Sequence, residues 1–174
     1  MNKVFFDLEW NTGFLDGNSF DEIIEIGAVK TDEEYRQIDG FRRLIRPVIY
    51  RKMNPYIQKI LAITMKDLQG EEPLASVAKA FFDWCGDCDT LIAWSGNDFG
   101  VLEKNLAHIG MKIPEQLDRY DVQMAYAYRT ENSIRNYALK TAVEAMELPE
   151  PEGQEYHDAY CDAQFTAAIG RALT

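Results

Sequence analysis

The stretch Lys3-Val4-Phe5-Phe6-Asp7-Leu8-Glu9-Trp10, followed by Glu22-Ile23-Ile24-Glu25-Ile26-Gly27-Ala28-Val29-Lys30, decides the fold. Side chains of an extended strand alternate between its faces, so Phe6 and Leu8 bury on one side while Asp7 and Glu9 point together from the other. In the second segment Ile24, Ile26 and Ala28 alternate with Ile23, Glu25 and Gly27, which predicts a second strand. Asn11 to Phe20, with Gly13, Asp16-Gly17 and Asn18, carries turn residues and is expected to be the loop between the two. A third strand is predicted from Tyr35 to Arg46, ended by Pro47. Three strands in succession, with no room for a helix between them, make an antiparallel meander.

Downstream the period changes. Thr64 is the predicted N-cap of a short helix with Asp67 in its first turn, and Pro73 is placed at N1 of a helix whose apolar face is Leu74, Val77, Ala78, Phe81 and Phe82. Thr90 to Trp94 reads as a buried strand, and Asp98 to Ile109 as the helix after it, closed by Gly110 at C′. Leu117 to Asp121 is a short last strand, while Ile134 to Met146 and His157 to Leu173 are the closing helices. The expected fold class is therefore α/β: a mixed five-stranded sheet, three antiparallel strands and then parallel ones, flanked by helices.

A chain of 174 residues suits one sizeable core, and a single domain over 1–174 is expected. Nowhere does it hold the roughly 18 uninterrupted apolar residues that a membrane span needs. Met1-Asn2-Lys3 leads directly into the first strand, so a cytoplasmic protein with no membrane partner is expected. The cysteines Cys85, Cys88 and Cys161 are odd in number and read as free thiols; Cys85 and Cys88 have C-x-x-C spacing, but a structural zinc site takes four ligands and no second pair exists. A net charge of −11 argues against a protein that coats nucleic acid by phosphate neutralisation alone, though not against one that gathers carboxylates around metal. Between Phe41 and Lys59 the chain has Arg42, Arg43, Arg46, Arg51, Lys52 and Lys59 without one acid. That run reads either as a seat for a phosphate backbone or as a solvated edge protected by charge.

Two carboxylates converging from one strand repel each other unless a cation lies between them, and Mg2+ prefers one or two carboxylates together with substrate phosphates. Alone, Asp-x-Glu is more commonly the solvated face of a half-buried strand. Three ordered motifs change that balance. The first is Phe6-Asp7-Leu8-Glu9-Trp10 with Ile23-Ile24-Glu25-Ile26-Gly27-Ala28-Val29; the second is Trp94-Ser95-Gly96-Asn97-Asp98-Phe99-Gly100-Val101-Leu102; the third is His157-Asp158-Ala159-Tyr160-Cys161-Asp162-Ala163. Together they resemble the DEDDh 3′-5′ exonucleases of the ribonuclease H-like superfamily, in order and spacing over nearly the whole chain.

The resemblance implies a ribonuclease H-like fold and a metal-dependent exonuclease that releases nucleoside 5′-monophosphates from the 3′ end of single-stranded RNA or DNA. It implies Asp7, Glu9, Asp98 and Asp162 as catalytic carboxylates holding two Mg2+ or Mn2+ ions, a pair that activates water and stabilises phosphoryl charge. His157 is suited to be the general base, since an imidazole ordinarily titrates near 6.5. Where the family commonly has Thr after the glutamate this chain has Trp10, which with Trp94 is similar to the ERI-like subgroup that trims RNA 3′ ends; the layout also resembles the KapD-type exonucleases. RNA is accordingly preferred over DNA. Trp10, Asn11 and Phe14 are the substrate-binding candidates, aromatic rings near the site being able to stack on a terminal base. Asp98 also has a simpler reading as a helix-end charge, His108 as a favourable charge at a helix C-terminus, and Glu25 and Asp158 as partners of the ligands or as surface charges. The alternatives are an endonuclease of the ribonuclease H type and a catalytically silent nucleic-acid or protein binding module.

Overall fold

The computed structural model describes residues 1–149 and 157–174. Strands β1 (Lys3–Leu15), β2 (Asn18–Thr31) and β3 (Gln37–Leu44) form the antiparallel meander, and β4 (Thr90–Ala93) and β5 (Asp118–Asp121) add in parallel, giving the order β3-β2-β1-β4-β5. The strand that carries Asp7 and Glu9 is thus central. The expected loop Asn11–Phe20 is instead the outer part of a hairpin, paired as far as Leu15 opposite Asn18. Asp16 and Gly17 close it with φ of 49° and 81°, the left-handed backbone that a two-residue turn matched to strand twist requires. A register shift between Glu9 and Trp10 bends β1 where its acidic residues end.

Seven helices follow or interleave among the described residues: α1 (Pro55–Ile60), α2 (Met65–Leu68), α3 (Leu74–Cys85), α4 (Gly96–His108), α5 (Val122–Glu131), α6 (Leu139–Ala145) and α7 (Ala159–Ala172). Thr64 and Asp67 form the predicted reciprocal cap of α2, and Gly110, at φ 73°, ends the α4 region as expected. Pro73 is the N-cap of α3 rather than its first helical residue. Helix α5 was not expected from periodicity; Asp121 starts it by accepting the Met124 N–H at 3.0 Å. The helix expected over Ile134–Met146 is confined to Leu139–Ala145, because Asn132 takes a left-handed cap and Ile134 remains 83% exposed.

The sheet is covered on both faces. Val4, Phe6 and Leu8 pack with Phe81, Leu102 and Leu106 from α3 and α4, whereas Phe5, Val29 and Ile92 pack with Tyr126, Val143, Phe165 and Ile169 from α5, α6 and α7. Each such side chain, fully buried, stabilises the fold by about 1.5–3 kcal/mol. Asp7 and Glu9 follow Phe5 at two-residue spacing, so β1 presents them on the face that α7 covers. All three cysteines are free and buried, and burial pushes the Cys85 thiol up to about 12, which keeps it unreactive. No helix among the described residues is long and apolar enough to cross a membrane.

Candidate active site

Helix α7 is delivered to β1 by an arrangement that begins on the neighbouring strand. A Cβ on Gly27 of β2 would lie 2.1 Å from the Tyr160 nitrogen and 2.2 Å from the Ala159 carbonyl carbon, so only glycine allows this backbone approach. Asp158 caps the helix by accepting the Cys161 N–H at 3.1 Å. Arg42 of β3 donates to Asp158 and, at 2.8 Å, to Glu25, whose side chain is 1% exposed. Glu25 and Asp158, left open by the sequence between supporting and surface roles, are therefore the two ends of an ion-pair bridge that fixes the start of α7.

His157 precedes that cap in left-handed backbone, φ 69°, and its N–H donates to Asp162 Oδ2 at 3.2 Å. This turn folds His157 back over Asp162, so Glu9, His157 and Asp162 each offer a ligating atom within 4.8 Å of one another. His157 is exposed and Asp162 buried. Asp98 lies in the first turn of α4, 5% exposed, accepting from Ser95 Oγ at 3.1 Å. Asp7 and Asp98 stand outside the tight trio and join it electrostatically.

Burial pushes Asp7 well above the usual carboxylate range, and the charges of Asp98, Asp162 and Glu9 push it further. Glu9 is pushed up to about 8 by burial and then by Asp162 and Glu25. Asp162 reaches about 7 through burial, with the His157 N–H opposing, and Asp98 reaches about 6 through burial, opposed by Ser95. Four acids raised together are a site whose charge lacks compensation from the protein itself. Asp162 Oδ1 is buried and accepts no hydrogen bond from the described residues. An all-oxygen carboxylate set of this kind fits a hard divalent cation.

Trp10, Ile57, Ile60, Leu61, Trp94 and Leu139 wall the cleft that holds Asp7, Glu9, His157 and Asp162. Of the three substrate-binding candidates, only Trp10 is in it. Asn11 is 1% exposed and occupied, its side chain donating to the Lys52 carbonyl at 3.0 Å and accepting the Asn54 N–H at 2.8 Å, so it braces a loop. Phe14 stands 77% exposed on the hairpin and does not line the cleft. The apolar wall from α1 gave no sequence signal beyond Asn54-Pro55, a cap followed by a helix-starting proline.

The chain is also similar, in sequence and in fold, to known proteins. The chain is 29% identical over 169 residues to a PolC-type DNA polymerase III of Clostridium perfringens, covering 95% of this chain but 11% of that protein. It therefore spans about a tenth of the curated relatives it matches. Among solved structures, the nuclease domain of 3′hExo, a DEDDh family member bound to rAMP, superposes with a TM-score of 0.85 at 17% identity, over 99% of this chain and 90% of that one. Exonuclease I, in the structure that suggests how its processivity is achieved, superposes at 0.73 with 18% identity, over 98% of this chain and 40% of the other. The RNase_T family model, described as exonuclease, matches residues 4–169, nearly the full length, and the chain belongs to this exonuclease family.

Proposed function

We propose that the chain removes nucleoside 5′-monophosphates one at a time from the 3′ end of single-stranded nucleic acid, RNA in preference to DNA. Asp7, Glu9, Asp98 and Asp162 are proposed to hold two divalent ions, Mg2+ or Mn2+. Such ions supply Lewis acidity and charge neutralisation at a phosphodiester. The observation that carries the reading is the meeting of Glu9, His157 and Asp162 within 4.8 Å, with Asp7 and Asp98 coupled to them by charge.

The residues divide the work. His157 is exposed at the mouth of the cleft, where its imidazole can accept a proton from the attacking water and pass it to solvent. Its position is set by the hydrogen bond of its own N–H to Asp162. Trp10, Ile57 and Ile60 offer an apolar wall to the terminal base and keep water from that side. Nothing in this wall reads base edges, so trimming is independent of sequence.

A 5′-labelled single-stranded oligonucleotide incubated with Mg2+ or Mn2+ tests the reading. A ladder that shortens from the 3′ end, abolished by chelation, is expected. Internal cuts would show an endonuclease instead, and an intact strand that remains bound would show a silent binding module. Matched RNA and DNA strands test the preference for the 2′-hydroxyl.

A further inference from the structure

We infer that the loop from Pro47 to Asn54 and the start of α1 form the track along which the nucleic-acid strand enters the cleft, its phosphates lying against Arg51 and Lys52. The inference rests on the exonuclease reading and adds the surface that holds the substrate upstream of its terminal nucleotide. Of the six cations between Phe41 and Lys59, three are already engaged. Arg42 bridges Glu25 and Asp158, Arg43 lies 5.4 Å over the Phe41 ring, and Arg46 donates to the Glu71 carbonyl at 3.1 Å. Arg51 and Lys52 are exposed, and neither pairs with an acid among the described residues.

The backbone beneath these two cations is held far more firmly than an ordinary surface loop. Glu22, 4% exposed, accepts the consecutive N–H groups of Val48, Ile49 and Tyr50 at 2.6, 2.8 and 2.8 Å. Asn11 clamps the Lys52 carbonyl and the Asn54 N–H, and the Tyr50 hydroxyl donates to the Phe20 carbonyl at 3.0 Å. The Tyr50 ring occupies the space over Gly13, where a Cβ would approach to 2.6 Å. Charge-assisted and part-buried hydrogen bonds of this number fix the loop, leaving its two long cationic side chains without an acidic partner among the described residues.

Position supplies the rest of the argument. Asn54 caps α1 by accepting the Tyr56 N–H at 2.9 Å, and Ile57 and Ile60 of that helix wall the cleft beside Asp7 and Glu9. A chain with net charge −11 and three acids, Asp7, Glu9 and Asp162, in one cleft repels a polyanion, so cations near it offset that repulsion where the strand arrives. Tyr56, 69% exposed and lying in sequence between those cations and Ile57 of the cleft wall, offers a ring for a base.

The test is the double variant Arg51→Ala/Lys52→Ala in the full chain, against Lys66→Ala/Lys104→Ala as a control of equal charge. Steady-state hydrolysis is measured with Mn2+ on single strands of about two to ten nucleotides, as RNA and as DNA, across roughly 50–200 mM salt. On the longest strands KM is expected to rise about tenfold in the double variant, with the salt slope shallower by roughly 1.4, about 0.7 per phosphate lost. The penalty should grow with strand length, and the control pair should not show it. An effect equal on dinucleotides and long strands, or matched by the control, overturns the track. If the unaltered chain shortens no strand at all, it is the exonuclease reading that has failed, and the track fails with it.

Discussion

Gly27→Ala is the most demanding test of how the site is built, because it alters no group that touches substrate. The added methyl would meet the Tyr160 nitrogen at 2.1 Å, whereas ordinary contact begins at 3.4 Å, so the start of α7 must recede by roughly 1.3 Å. His157 and Asp162 ride on that segment, while Glu9 stays with β1. A displacement of about 1 Å in a reacting constellation costs on the order of 100-fold in rate, and overpacking of this kind costs about 1–3 kcal/mol in stability. The expected outcome is a kcat lower by about two orders of magnitude, with a melting temperature lower by roughly 3–10 °C. The assay is hydrolysis of a labelled single strand, run well below the melting transition so that unfolding contributes nothing. Gly70→Ala, where an added Cβ has nothing within 4 Å, serves as the neutral comparison. Wild-type turnover in Gly27→Ala would refute the claim that this close approach sets the distance between Glu9 and the α7 residues.

Further outcomes follow from the same structure. At neutral pH a carboxyl titrating at about 8 is protonated in roughly nine molecules of ten and one at about 7 in about half, so loading the site with Mn2+ should release about 1–1.5 protons from Glu9 and Asp162, with any held by the likewise raised Asp7 adding to the total that calorimetry in buffers of different ionisation heat measures. Since both acids titrate higher in the folded state than in the unfolded one, their contribution to stability is present below about pH 4 and is lost as pH rises through 7 and 8. Chelated protein should therefore melt lower at about pH 8.5 than at about pH 5.5, and Mn2+ should narrow the gap. A melting temperature that does not depend on pH in chelator would contradict this. Arg42→Ala leaves the buried Glu25 without its cation and should cost about 2 kcal/mol by urea unfolding, an unchanged midpoint excluding the ion-pair bridge. His157→Ala should lower kcat about 100- to 10,000-fold while Mn2+ affinity falls far less; equal losses in both would make His157 a ligand rather than a base.

What could be read from the sequence is what obeys a local period or a short motif. The alternation around Phe6 and Leu8, the Thr64–Asp67 cap and Gly110 after α4 are each settled within a few residues, and each is found where it was expected. The outer hairpin was missed although Asp16-Gly17 announces it, because strands projecting beyond the core lose the apolar alternation that marks a strand. Helix α5 was missed for a related reason: Tyr126 is buried while its near neighbour Tyr128 is 71% exposed, so residue type does not reveal which face is inside. At the site, Glu9, His157 and Asp162, which the fold brings together, could be singled out because their spacing is a motif. Their supports were not. Gly27 near Ala159, Arg42 between Glu25 and Asp158, and Asn11 under Lys52 are pairings between distant segments, and a single sequence carries no mark of them.

Helix α7 has a consequence for the life of the molecule. Asp7 is made well before Asp162, yet neither makes a cleft without the other. A growing polypeptide of this kind has no assembled site until α7 docks on β1, and any later peeling of that helix takes the site apart again. Docking of α7 and assembly of the cleft are thus one event.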